Sequence, residues 1–146
     1  MTNVELVTRK LAVITDHVAR LRARRPTTVE ALRADQLVQD ALAMSILVIV
    51  QEAMDIALHV ASDEGWELAD TYRDAFAVLA KHSVIDDDLA AKLGGTSHLR
   101  NRIAHGYATV DVDRLWTEIP DGLKTFEAFA KALAKFVERQ TGSTSP

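Results

Sequence analysis

The chain has 146 residues, of which 48% are hydrophobic and 26% charged, and its formal net charge at pH 7 is −4. This length fits one domain, and the composition is that of a globular protein rather than a disordered or fibrous one. Three prolines and six glycines give few sites for sharp turns, which disfavours an all-β sandwich or barrel, and the absence of cysteine excludes disulfides, thiolate metal ligands and a cysteine nucleophile.

The sequence predicts a cytoplasmic protein with no membrane partner. Its first residues lack the basic start and apolar stretch of a signal peptide. The most apolar window, residues 41–50, is much shorter than the roughly 20 residues that span a membrane, which predicts a buried helix. The net charge is +4 over residues 1–34, −10 over 35–91 and +2 over 92–146. This gradient fits patches that attract each other, a nucleic acid or an acidic partner, and equally fits solvated helix faces.

Helical periodicity organises the first half of the chain. Thr2 opens a capping box, and apolar residues then recur at helical intervals, which predicts a first helix to about Arg24. Pro26 breaks this helix, and Thr27 opens a second capping signature for a short segment. A long helix is predicted over residues 37–62, where apolar side chains occur nearly all round, so it must be covered on several sides. Small residues at every fourth position suit either a bundle centre or a subunit interface.

The second half predicts three more helices. Asp70 is the expected cap of the first, and Asp86–Asp88 place negative charge at the start of the second, where the helix dipole favours it. Gly94–Gly95 predict that the middle of this second helix is weak or kinked. Val110–Asp113 is the expected connection, and Asp121, after a proline, the expected start of the last helix.

These elements predict an all-α fold, an up-and-down helical bundle, because the sequence shows no internal repeat and no sustained strand-like alternation. Residues 1–140 are expected to form the single domain. Residues 141–146 are expected to form a flexible C-terminal tail.

The chemically informative segment runs from Arg100 to Tyr107. Arginine binds phosphate oxygens with two parallel hydrogen bonds, histidine exchanges a proton near neutral pH, and tyrosine offers a hydroxyl. Arg100 and His105 are five residues apart, about 140° round a helix. They therefore converge only if His105 lies at or beyond the helix end, where Gly106 is a suitable terminator.

The pattern Arg-x-x-x-x-His-x-Tyr resembles the signature of the HepT-like toxins, the HEPN half of HEPN/MNT toxin-antitoxin pairs. The similarity covers roughly residues 35–120 and rests on these further segments: Leu99-Arg100-Asn101, His105-Gly106-Tyr107, Val110-Asp111, Trp116, Asp70-Thr71-Tyr72-Arg73 and Gln51-Glu52-Ala53-x-Asp55-Ile56-Ala57. The resemblance implies a HEPN-like helical homodimer that brings two copies of the motif to one cleft. It also implies metal-independent RNA cleavage, and neutralisation by a cognate MNT-type nucleotidyltransferase antitoxin that transfers AMP to Tyr107.

The resemblance also implies roles for individual residues. His105 of each protomer serves as base and acid, and Arg100 stabilises the charge of the transition state. Asn101 and Arg102 are candidates for RNA phosphate binding, although Asn101 equally suits a cap and Arg102 an ion pair. Tyr107 is the candidate AMP acceptor, whether or not its ring also packs against the last helix.

The chain departs from the family's pattern at Gly94–Gly95, which are expected to alter the entry of the helix that carries Arg100, and at His98. His98 stands where the family usually has a small residue, as a second proton carrier or an exposed substitution. The alternative function is a non-enzymatic helical dimer that binds a nucleotide or a partner through the same cluster. No Glu-x-x-His occurs, so a di-metal bundle is disfavoured, and no cofactor is expected.

Overall fold

The computed structural model describes residues 1–105 and 111–142, with the backbone alone for residues 104 and 105. Six α-helices and no strands lie in this part of the chain, which confirms the predicted all-α class. The helices are α1 Val4–Arg24, α2 Val29–Arg33, α3 Gln36–Asp63, α4 Tyr72–Lys81, α5 Asp87–His105 and α6 Val112–Gly142.

Helix α3 is the centre of the bundle, because it contacts each of the other five helices. Its inner side is fully buried at Leu42, Ile49, Met54 and Ile56. By length and composition α3 is also the one helix of the described residues apolar enough to cross a membrane, and 56% of its most apolar 18-residue window is buried inside the bundle. The predicted buried helix over 41–50 is thus confirmed.

The N-terminal caps lie one residue beyond the predicted ones. Asn3, not Thr2, caps α1 by accepting a hydrogen bond from the Leu6 N–H at 3.0 Å. Thr2 is buried and engaged elsewhere: its hydroxyl donates to Glu64 Oε1 at 2.6 Å, which ties the start of α1 to the end of α3. Thr28 caps α2 and Thr71 caps α4 in the same way, each accepting from the N–H three residues on.

Helix α5 is continuous through Gly94 and Gly95, which the sequence predicts to make its middle weak or kinked. Gly94 is buried, and a Cβ atom at this position would lie 3.1 Å from Arg73 Cγ. The missing side chain therefore allows the first turn of α4 to approach α5 closely.

The last helix begins at Val112, so the prediction of a start at Asp121 is wrong. Asp111 caps it, since its Oδ1 accepts from the Arg114 N–H at 3.1 Å. At the other end α6 continues to Gly142, so the first two residues of the predicted tail are helical. Residues 143–146 lie outside the described residues.

Pro120 lies inside α6, where it would be expected to end the helix. It has no N–H to donate to the carbonyl of Trp116, four residues earlier. Arg25 replaces that donor: its Nη2 donates to the Trp116 carbonyl at 3.4 Å, and its guanidinium lies 3.7 Å from the centre of the Trp116 ring. A side chain from the end of α1 thus supplies the hydrogen bond that proline removes.

Candidate functional site

The predicted site residues lie in the last turns of α5. Arg100, Asn101 and Arg102 are described completely, and the backbone of α5 is helical up to His105. The side chain of His105 and the whole of Tyr107 lie outside the described residues. The expected convergence of Arg100 with His105 therefore stays a prediction.

Arg100 is half-buried and points towards α3. Its Nη2 donates to Gln51 Oε1 at 3.4 Å, and its Nη1 donates to Asn101 Oδ1 at 3.3 Å. Both acceptors are neutral amide oxygens. Arg100 forms no ion pair with any residue that the structure describes, so its positive charge is held in place but not compensated.

Gln51 is itself held by a polar network on α3. Its Nε2 donates to Asp55 Oδ1 at 3.0 Å, which leaves Oε1 free to accept from Arg100. Lys10 of α1 reaches the same Asp55 at 3.5 Å and Glu52 at 3.1 Å. The sequence does not assign a role to Gln51 or Lys10. The signal available for Gln51 is its i,i+4 spacing to Asp55, whereas nothing local indicates Lys10.

Arg102 has a different environment. Its Nη2 lies 3.2 and 3.1 Å from the two carboxylate oxygens of Glu118 on α6, and Arg114 also donates to Glu118, at 3.0 Å. Residues two apart on a helix are separated by about 200°, which is why Arg100 meets α3 while Arg102 meets α6. The ion pair expected for Arg102 is present, and its partner is Glu118.

A cleft of about 1240 Å³ separates α5 from α6. Leu21, Ile46 and Ile49 contribute to its apolar lining, and its lining also includes His98 and Asn101. Positions 98, 101 and 105 fall on one side of an ideal helix, within about 60° of each other. His98 is exposed and has no hydrogen-bond partner among the described residues.

Two of the other histidines, His17 and His82, have structural surroundings. His17 Nδ1 lies 3.1 Å from Ser45 Oγ, and burial, with a further contribution from nearby Arg20, lowers the pKa of His17. His82 stacks on the Trp66 ring at 4.1 Å between centroids. Within the described ranges, no group of three or more His, Asp or Glu side chains is arranged to hold a metal ion.

The outward side of α3 carries a stripe that is apolar over its first half and ends in Gln51, Asp55 and Leu58. We define the α3 stripe as the residues at alternating three- and four-residue spacing on this side: Leu37, Ala41, Met44, Val48, Gln51, Asp55 and Leu58. Leu37 is 81% exposed, Met44 58% and Leu58 38%. Gln51 belongs to the α3 stripe and also accepts the hydrogen bond from Arg100, so the stripe lies beside Arg100.

Comparison with known proteins gives a consistent result. The family model described as Ribonuclease HepT-like matches residues 14–133. The chain is 27% identical over 89 residues to the tRNA nuclease HepT of Aphanizomenon flos-aquae, a match that covers 61% of this chain and 60% of that protein. It is 26% identical over 97 residues to the mRNA nuclease HepT of Shewanella oneidensis, covering 66% of this chain and 73% of that one. The chain therefore spans 60–73% of the length of these relatives.

Solved structures share the fold. The tri-AMPylated HEPN toxin of Shewanella oneidensis in complex with its MNT antitoxin superposes with a TM-score of 0.82 at 22% identity, covering 92% of this chain and 99% of that one. The cytosolic protein YutE from Bacillus subtilis superposes with a TM-score of 0.85 at 14% identity, covering 99% and 96%.

Proposed function

The chain belongs to the HepT-like ribonuclease family, and from this premise we propose that it is a metal-independent endoribonuclease, the toxin of a type VII-like toxin-antitoxin pair. The observation that carries the proposal is the state of Arg100. Its guanidinium is oriented by two neutral amide oxygens, and no carboxylate of the described residues balances its charge. Arg100 lies on the helix whose last turn contains His105. An arginine in this state is suited to bind a phosphate.

The proposed chemistry uses the 2′-hydroxyl of RNA as the nucleophile. One His105 imidazole accepts the proton of this hydroxyl, and a protonated His105 from a second copy donates a proton to the leaving 5′-oxygen. Arg100 stabilises the negative charge that builds up on the phosphorane oxygens. Asn101 supports the substrate phosphate, and Arg102 contributes less because Glu118 already compensates its charge.

This chemistry requires two copies of the chain, and the α3 stripe is where we place their contact. Leu37 is 81% exposed although it lies on the helix that forms the bundle centre. Covering such a large apolar side chain with a second copy stabilises the dimer. The stripe includes Gln51 and so lies beside Arg100. A two-fold contact along it brings both motifs close to one another.

The proposed partner that restrains the toxin is an MNT-type nucleotidyltransferase antitoxin, which the similar Shewanella toxin has in its complex. AMP transfer to Tyr107, two residues after His105, adds bulk and negative charge beside the expected position of the RNA phosphate. We expect mass spectrometry after incubation with ATP, magnesium and the cognate antitoxin to detect added AMP on the wild type and not on Tyr107→Phe. An unmodified wild type would remove Tyr107 from this role.

The activity is tested with purified protein and defined RNA, with and without a chelator. We expect cleavage that chelation does not affect, that His105→Ala abolishes, and that Arg100→Ala lowers strongly but to a measurable rate. Arg24→Ala is the matched control, because it removes one exposed cation far along the chain from the motif. Intact RNA together with retained toxicity would favour the non-enzymatic binding alternative.

A further inference from the structure

The environment of Arg100 differs from that of its neighbour Arg102 in the charge of the acceptor. Arg102 lies on the carboxylate of Glu118, which neutralises it. Arg100 is held by the amide oxygens of Gln51 and Asn101. An amide oxygen fixes the direction of a guanidinium group as a carboxylate does, but adds no opposing charge.

We propose that Gln51 is a positioning residue that orients the Arg100 guanidinium for phosphate binding while leaving its charge uncompensated. This inference rests on the proposed ribonuclease function. Gln51 lies 49 positions from Arg100 in the sequence and is the residue through which α3 contributes to that function.

The orientation of Gln51 is itself determined. An amide group that rotates freely presents either an oxygen or a nitrogen to its neighbour. Because Nε2 of Gln51 donates to Asp55 at 3.0 Å, Oε1 is directed to Arg100. Lys10, with a side chain only 19% exposed, holds Asp55 from α1. Gln51 therefore contacts Arg100 directly, Asp55 acts on Arg100 through Gln51, and Lys10 acts through Asp55.

The sequence offers a matched control on the same helix. Gln36 donates to Asp40 at 2.9 Å with the same i,i+4 geometry, but this pair has no arginine from α5 beside it. Gln36→Leu therefore removes a hydrogen bond of the same i,i+4 type, at an exposed position in the first turn of α3, and leaves Arg100 as it is. Because Gln51 also lies on the α3 stripe, an effect of Gln51→Leu beyond that of Gln36→Leu is assigned to Arg100 when light scattering shows unchanged self-association.

The experiment measures RNA cleavage by the full chain. We expect Gln51→Leu to lower kcat by about 10- to 100-fold with KM changed by no more than about twofold, because a misdirected guanidinium weakens transition-state binding. In an Arg100→Ala background the same substitution is expected to have no further effect on cleavage, since the residue through which it acts is gone. Gln36→Leu is expected to match the wild type.

A second variant keeps the side chain's size and changes its charge. Gln51→Glu keeps an acceptor for Arg100 but balances the positive charge of the guanidinium. The slope of RNA affinity against salt concentration should therefore fall by the equivalent of about one phosphate contact. Circular dichroism establishes that each variant is folded, and Gln51→Glu provides the decisive measurement if Gln51→Leu does not fold.

The outcomes separate the two proposals. If the wild type cleaves RNA and Gln51→Leu cleaves equally well, or if its effect adds fully to that of Arg100→Ala, the positioning role is wrong while the ribonuclease function stands. If Gln51→Glu leaves the salt dependence unchanged, the positioning role is likewise wrong. If the wild type does not cleave RNA, the proposed function itself fails.

Discussion

Pro120 and Arg25 form a compensating pair that stability measurements can test. Arg25→Met keeps most of the aliphatic stem of the side chain but removes the guanidinium from the Trp116 carbonyl and ring. The hydrogen bond and the cation–π contact contribute about 1 kcal/mol each. Arg25 Nε is buried without a partner among the described residues, and removing it relieves about 1 kcal/mol. The expected net loss of unfolding free energy is about 1 kcal/mol, or roughly 3 °C in Tm.

The assay is urea unfolding of six proteins at equal concentration: the wild type, Arg25→Met, Arg24→Met, Pro120→Ala, and the two double variants that combine Pro120→Ala with each arginine substitution. Pro120→Ala restores an N–H that donates to the Trp116 carbonyl, so the hydrogen bond from Arg25 becomes dispensable. In that background Arg25→Met should therefore cost about 1 kcal/mol less than in the wild type. Arg24→Met, at an exposed neighbouring position, should show no such coupling. An equal cost of Arg25→Met in both backgrounds would refute the compensation.

Three further predictions concern the stripe, a loop carboxylate and a helical glycine. Leu37→Glu should give a folded monomer by light scattering, whereas Leu68→Glu, 89% exposed but off the stripe, should not change self-association; two identical molar masses would contradict the stripe contact. Glu67 has its pKa lowered to about 2, chiefly by the hydrogen bond from Lys81, so its stabilising effect should be complete above pH 4.5 and disappear as the pH falls through about 2. An NMR titration of Glu67 with an ordinary midpoint would exclude this. Gly95→Ala, with open space at its Cβ position, should raise the unfolding free energy by up to about 1 kcal/mol, and calorimetry showing a loss would contradict it.

Sequence patterns predict the helices well because periodicity is a local property, and they fail where a distant residue decides the outcome. Thr2 and Asn3 are both good caps, and the choice between them depends on Glu64, which takes the Thr2 hydroxyl. The start at Asp121 is wrong because the stop signal of Pro120 is overridden by an arginine 95 positions earlier in the chain.

The same distinction applies to the candidate site. The motif that contains Arg100 is visible in the sequence, and the family match agrees with it. The different states of Arg100 and Arg102 are not visible, because the acceptors Gln51 and Glu118 are 49 and 16 positions away. Only the packing of α5 between α3 and α6 decides which guanidinium is paired with a carboxylate and which is held by neutral oxygens.

One side of α3 packs in the centre of the bundle and the other carries the α3 stripe, and this arrangement determines which genetic changes the protein tolerates. A substitution on the outward side affects the contact with the second copy or with Arg100 and leaves the packed side intact, so its effect stays local. A single-codon insertion or deletion between Leu42 and Gln51 is different, because it turns everything beyond it by about 100°. Such a change would misalign the interior and withdraw the Gln51 amide from Arg100 in one event. We therefore expect length variation among relatives to be absent from this helix and to accumulate in the loops.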